Sequence, residues 1–224
     1  MALTPEEEIG RLTRMPPGRH KLPADFVAQN QRARLSYAIV HLVARQGYPA
    51  TSLNQVVKTA GVARHTFYEH FESKEALFLS VFDRAAEGAL RVTREAIEAA
   101  PDPWEEKARA ALTALLAHLA ADLTLARVCL LESQSAGPEA LARYEATLHE
   151  FADLLRSGRD SLAAAAEYPQ SLEDITVGGL AWMVGRRLAE DPEGIEQLLP
   201  RALEFLLTPY VGDAAARLAA QSSD

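Results

Sequence analysis

Six side chains within eleven positions set the chemistry to be explained: Arg64, His65, Thr66, Tyr68, His70 and Lys74. Guanidinium, imidazole, hydroxyl, phenol and ammonium groups at this density suit contacts to oxyanions and to the polar edges of heterocycles. Arginine can bond guanine O6 and N7 together, a contact that discriminates against other bases by about 1–3 kcal/mol. Thr66 can touch a thymine methyl or donate to a phosphate. Ahead of them, Ser52 stands where a short helix is expected to begin, and free N–H groups with the helix dipole favour a phosphate there. Asn54 and Gln55 follow on that helix's outer side. Other chemistry is thinner. Glu145 and His149 are spaced i, i+4 and can share a metal, but without a third ligand they read as a surface pair. Cys129 is the single cysteine, which excludes an intramolecular disulfide, and it reads as buried. No paired-histidine metal helix, P-loop or Gly-rich dinucleotide fingerprint occurs, so the expectation is a non-enzyme without metal or cofactor.

The elements that must position these residues are helical. Leu35, Ala38, Ile39, Leu42 and Val43 recur with the period of one buried helical face, and Gly47 ends that helix. Thr51 or Ser52 then caps a second helix that turns Leu53, Val56, Val57 and Ala60 inward. Gly61 supplies the left-handed residue that closes it, and Val62 plugs the turn. A third helix is expected from about Ala63 to His70, with Phe67 and Phe71 facing the core, and Ser73 caps a fourth. Later helices are expected over about 74–98, 103–120, 122–134, 137–166, 171–190 and 193–207, with a kink or restart at Pro200. The fold expected is all-α: a three-helix N-terminal unit fused to a larger helical body.

Helix, sharp turn and short helix is helix-turn-helix geometry, whose second helix enters a major groove. The run from Thr51 to Leu77, centred on Gly61-Val62-Ala63-Arg64-His65-Thr66-Phe67-Tyr68-Glu69-His70-Phe71, resembles the DNA-binding signature of the TetR family of bacterial one-component regulators. The resemblance is close over about residues 29–89. It implies that Tyr68, His70 and Lys74 grip phosphates while Arg64 and His65 address bases. One departure is Ala63, where the family usually has a Ser or Thr that caps the recognition helix. The resemblance further implies a body that binds a small molecule and dimerises through its last two main helices. The domains expected are a flexible basic arm (1–23), the DNA-binding unit (24–74) and a ligand-binding, dimerising bundle (75–224).

For the dimer interface the sequence offers the small-residue stripe Gly178, Ala181 and Gly185 with Leu188, Leu203 and Leu206. For the ligand pocket it offers Leu115, His118, Leu119, Cys129, Tyr144, Leu148, Phe151, Trp182 and Met183, a largely apolar set suited to a lipophilic molecule. The same residues also describe an ordinary core.

Charge sorts along the chain. The net is -8, yet residues 1–74 carry 10 Lys+Arg against 6 Asp+Glu, while 75–224 carry 13 against 25. A basic front end suits phosphates, and the acidic body disfavours a strongly anionic effector in favour of a hydrophobic or cationic one. The expected partners are therefore double-stranded operator DNA, a small-molecule effector and a second copy of the chain. No signal peptide is read at the start and no stretch suits a bilayer, so no membrane is expected and the expected location is the cytoplasm. The expected function is a repressor released by a small hydrophobic effector. The alternatives are an activator of the same fold and a helical ligand carrier or enzyme with a vestigial DNA-binding unit.

Overall fold

The computed structural model describes residues 23–159, 169 and 171–221. The expected basic arm lies outside these residues except for Pro23, and so does the end of the helix expected over 137–166. Ten α-helices and one 3-10 segment make up the described fold, which contains no strand among those residues. They are α1 (Ala24–Gln46), α2 (Leu53–Ala60), α3 (Arg64–His70), α4 (Lys74–Ala99), α5 (Trp104–Ala121), α6 (Leu123–Leu131), α7 (Pro138–Arg159), α8 (Leu172–Glu190), the 3-10 segment Pro192–Leu198, α9 (Leu199–Val211) and α10 (Asp213–Gln221).

The chain forms two compact units. The first contains the residues up to Asp83 together with Glu132–Leu141; the second contains Arg84–Leu131 and the residues from Ala142 onward. In the first unit the periodic residues of α1 do what their spacing predicts, since Leu35, Ala38, Ile39 and Val43 are all buried. Val56 and Ala60 of α2, Phe67 of α3 and Leu77 and Phe78 of α4 are buried as well. Phe71, expected in the core, is only partly buried.

In the second unit Trp104, Leu112 and Leu116 of α5 pack with Leu188 of α8, Ile195 and Leu198 of the 3-10 segment, and Leu203, Leu207 and Tyr210 of α9. The helix expected over 193–207 is thus two pieces. Pro200 sits in the first turn of α9, where its missing N–H has no helical partner to lose. α6 stops at Leu131, short of the expected 134, because Ser135 N–H and its hydroxyl both donate to the Glu132 carbonyl in a turn. α10 was not expected; it buries Ala216 and Ala220 after Gly212.

Four residues expected at a dimer interface belong to this interior. Gly185, Leu188, Leu203 and Leu206 are buried within the second unit, and a Cβ on Gly185 would meet Leu131 at 3.4 Å. The small-residue stripe therefore partly serves packing inside the chain. Its outer members, Gly178 and Ala181, are only partly buried, and nothing lies within 4 Å of where a Gly178 Cβ would be.

Candidate nucleic-acid interface

The turn between α2 and α3 is built from local signals. Ser52 Oγ accepts the Gln55 N–H at 3.3 Å while Gln55 Oε1 accepts the Ser52 N–H at 2.8 Å, a reciprocal cap of α2. Gly61 closes α2 with φ +60° and ψ +37°, a conformation that any Cβ would disfavour. Its N–H reaches the Lys58 carbonyl, and Val62 N–H reaches Val57. Arg34 of α1 seals the turn from below by donating to the Gly61 carbonyl at 2.9 Å. Sequence reasoning missed Arg34, whose only signal was a cation close to an otherwise buried face.

α3 presents the outward chemistry. Arg64, His65 and Tyr68 are exposed, Tyr68 with 49% of its surface open, and Thr66 is partly buried. Arg64 donates to Asn54 Oδ1 at 2.9 Å and to the Tyr68 hydroxyl at 3.4 Å, so the three polar groups form one exposed cluster. Ala63 stands at the N-cap position with an extended backbone and no side-chain cap. A Ser or Thr there would contribute about 0.5–2 kcal/mol.

Three other expected contact residues have partners inside the unit. Gln55 is engaged by the α2 cap and by Gln46 Nε2 at 3.3 Å. His70 Nε2 lies 2.8 Å from Gln31 Oε1 of α1. Lys74 Nζ donates to the carbonyls of Tyr48 at 3.0 Å and Thr51 at 2.7 Å and stands 3.8 Å from the centre of the Tyr48 ring. Partial burial lowers the Lys74 pKa from the usual lysine value. An ammonium has three N–H donors, so one at most remains for a phosphate.

Tyr48, at the centre of this arrangement, is held from both ends. Its carbonyl takes Lys74, and its N–H donates to Glu132 Oε2 at 2.9 Å across 84 residues of sequence. Burial, with the Glu75 carboxylate second, raises the Tyr48 pKa. Ser135 Oγ lies 3.1 Å from the same Glu132 oxygen, and Ser133, Ala136 and Ala140 of the same stretch are buried. Gly137, at φ +124°, leaves room for Glu75, whose Oε1 would lie 2.7 Å from a Cβ there.

Residues 37–81 match the family model described as bacterial regulatory proteins, tetR family. That match makes this segment similar to the DNA-binding part of the tetR family. Among curated relatives, the transcriptional activator FasR of Mycolicibacterium smegmatis is 30% identical over 95 residues, which are 42% of this chain and 41% of FasR. The regulator AcrR of Shigella flexneri is 36% identical over 56 residues, 25% of this chain and 26% of AcrR. This chain thus aligns with less than half the length of these relatives. Solved structures show the same fold over most of the chain. The fatty acid degradation regulator FadR of Bacillus halodurans superposes with a TM-score of 0.68 at 24% identity, covering 81% of this chain and 97% of that one. FadR of Bacillus subtilis, solved with stearoyl-CoA, gives 0.66 at 22% identity, covering 79% and 97%. The all-helical architecture expected from the sequence, with its N-terminal helix-turn-helix and C-terminal helical body, is therefore the tetR fold.

In the body the expected pocket residues separate. Leu115, His118 and Leu119 on α5, Tyr144, Leu148 and Phe151 on α7, and Met183 on α8 are all partly buried, neither sealed core nor open surface. The His118 ring lies against the bare backbone of Gly88, where a Cβ would meet Nε2 at 3.2 Å. Burial raises the Tyr144 pKa, and Cys129 is sealed, with its thiol pushed up to about 12 by burial and then by Asp122. Trp182 does not line an interior site. It is 64% exposed, and the Arg186 guanidinium lies 5.6 Å from its ring centre. Ile175, at 67%, and Phe205, at 40%, are exposed too, and the Phe205 ring lies over the bare backbone of Gly179.

Glu145 and His149 make no metal site. The His149 Nδ1 lies 2.9 Å from the Glu145 carbonyl, its Nε2 lies 3.7 Å from Asp174, and no group of three ligating residues occurs among those described. Among the described residues no single helix is long and apolar enough to cross a membrane.

Proposed function

We propose that the chain is a ligand-responsive regulator that binds a palindromic DNA operator as a dimer and represses transcription until a small apolar effector releases it. The observation that carries this reading is the exposed cluster of Arg64, Asn54 and Tyr68 beside a Gly61-closed turn, in a segment matching the tetR family model. Arg64 and His65 address base edges, while Ser52, Thr66 and Tyr68 supply phosphate contacts that set register. Gln55, His70 and Lys74 chiefly hold the reading helix in place, with the third N–H of Lys74 left for the backbone. Between Gly10 and Lys74 the sequence carries 10 Lys+Arg and 3 Asp+Glu, so this end attracts DNA while the acidic body repels it.

The second copy docks on α8 and α9 through Ile175, Trp182 and Phe205. These large apolar groups lose water only if something covers them, and Gly178 offers close approach beside them. The effector occupies the body among Leu115, Leu119, Leu148, Phe151 and Met183, whose partial burial leaves apolar surface for a lipophilic molecule. The stearoyl-CoA bound by FadR of Bacillus subtilis supports a long apolar chain as that molecule's main feature. Two routes lead from body to reading unit along the chain: α4, which begins in one unit and ends in the other, and the Glu132–Leu141 segment that holds Tyr48. The effector shifts the population toward a state whose recognition helices no longer match the operator.

The name of FasR favours a second reading, an activator of the same fold. Transcription in vitro from a promoter overlapping the bound site separates the two. Output that falls when the native chain is added supports the repressor, and output that rises supports the activator.

A further inference from the structure

Five arginines of the acidic body stand beside acids. Arg91 pairs with Glu95, Arg186 with Glu190, Arg187 with Asp191, Arg217 with Glu204, and Arg156 stands beside Glu173 and Asp174. Arg127 is different. It lies on α6, the most apolar helix, between buried Ala126 and Val128. Its Nε is sealed from solvent with no hydrogen-bond partner, and no ion pair joins its guanidinium to another described residue. Acids outnumber cations almost two to one beyond residue 74, so the lack of a carboxylate here does not reflect a shortage of them. A partly buried guanidinium with an unmet donor is destabilising unless something else supplies the acceptor. α6 packs against α5 and α8, the helices that carry Leu115, Leu119 and Met183.

We propose that Arg127 anchors the oxyanion head of an amphiphilic effector whose apolar tail lies among those residues. This rests on the reading of the body as an effector site and sharpens it, because the acidic composition alone pointed away from an anionic ligand. The head is a carboxylate or a phosphate, either of which a guanidinium binds through charge-assisted hydrogen bonds.

The test uses the full chain with three long-chain probes, palmitate, hexadecyl phosphate and neutral hexadecanol, measured by calorimetry and by thermal unfolding. The native chain binds at least one anion about 10- to 100-fold more tightly than the alcohol. Arg127→Met removes that preference and raises the unfolding temperature of the ligand-free protein, since it deletes an unpaired partly buried charge. Arg127→Lys keeps the sign of the preference. Equal binding of alcohol and anions by the native chain, a preference that survives in Arg127→Met, or a lower ligand-free unfolding temperature in Arg127→Met each overturns the anchor. Failure of all three probes to bind the native chain also overturns it. The regulator reading fails separately, by absence of operator binding.

Discussion

The carboxylate of Glu132 accepts the N–H of Tyr48 at 2.9 Å, while the ammonium of Lys74 takes the carbonyl of the same residue at 3.0 Å. The turn that leads into the DNA-reading helices is thereby clamped by two charged groups, one from the α6–α7 connection and one from the start of α4. Neither group is part of the turn. A position that must stay fixed while α2 and α3 meet DNA is thus set from the segment that follows α6.

Removing the acceptor isolates its contribution. Glu132→Ala leaves the N–H of buried Tyr48 unpaired and lowers stability by about 1–3 kcal/mol. Glu132→Gln keeps an acceptor oxygen and recovers most of it. Urea unfolding together with amide exchange at Tyr48 checks this, with faster exchange expected at Tyr48 in the alanine variant and not in the glutamine variant. Unchanged exchange in Glu132→Ala would mean that the clamp holds nothing.

Cys129 makes stability pH-dependent at the alkaline end. Its thiol is pushed up to about 12 from an ordinary 9.0, so the folded chain keeps a proton that the unfolded chain loses. A raised pKa gives stability that is complete below the unfolded value and is lost as pH climbs toward the folded one. Stability therefore falls above about pH 9, by at most about 1.4 kcal/mol per pH unit from this group. Urea midpoints of the native chain and Cys129→Ala, compared at about pH 8 and about pH 10, should show the smaller fall in the variant. A parallel fall in both would assign the alkaline loss to other groups.

The outer face of α8 and α9 should govern assembly. Trp182→Glu or Ile175→Glu places a charge on the exposed apolar patch and converts a dimer to a monomer at micromolar concentration, as read by light scattering. Leu203→Ala instead creates a cavity in a side chain that is 0% exposed and destabilises the fold by about 2–5 kcal/mol. A monomeric native chain, or dimers that survive both charge substitutions, would place assembly elsewhere.

How much of this could be read from the sequence depended on how local the cause was. Ser52 with Gln55, Gly61, and Ser73, whose hydroxyl accepts the Ala76 N–H at 3.0 Å, act within a few residues, and the short helices around them were legible. Leu188 and Leu203 were misplaced because an apolar or small-residue stripe looks alike whether it packs on its own chain or on a copy. Trp182 was misplaced for the converse reason: its aromatic character suggested an interior wall, yet its position on α8 turns it outward. Glu132 and Tyr48 could not be paired, since 84 residues separate them and neither carries a motif. The unpaired state of Arg127 is equally invisible in a sequence, where acids are plentiful on either side of it.

The central claim is that Arg64 and its neighbours read a two-fold symmetric DNA site. Selection from random duplexes with the purified full chain, run in parallel with Arg64→Ala, tests it most directly. The native chain should enrich an inverted repeat with half-site centres about 34–36 Å apart, one helical turn or a multiple of it. Arg64→Ala should lose enrichment at one base pair of each half-site while keeping salt-sensitive affinity for random DNA. Recovery of no enriched sequence by the native chain, or of the same sequence by both proteins, would contradict the account.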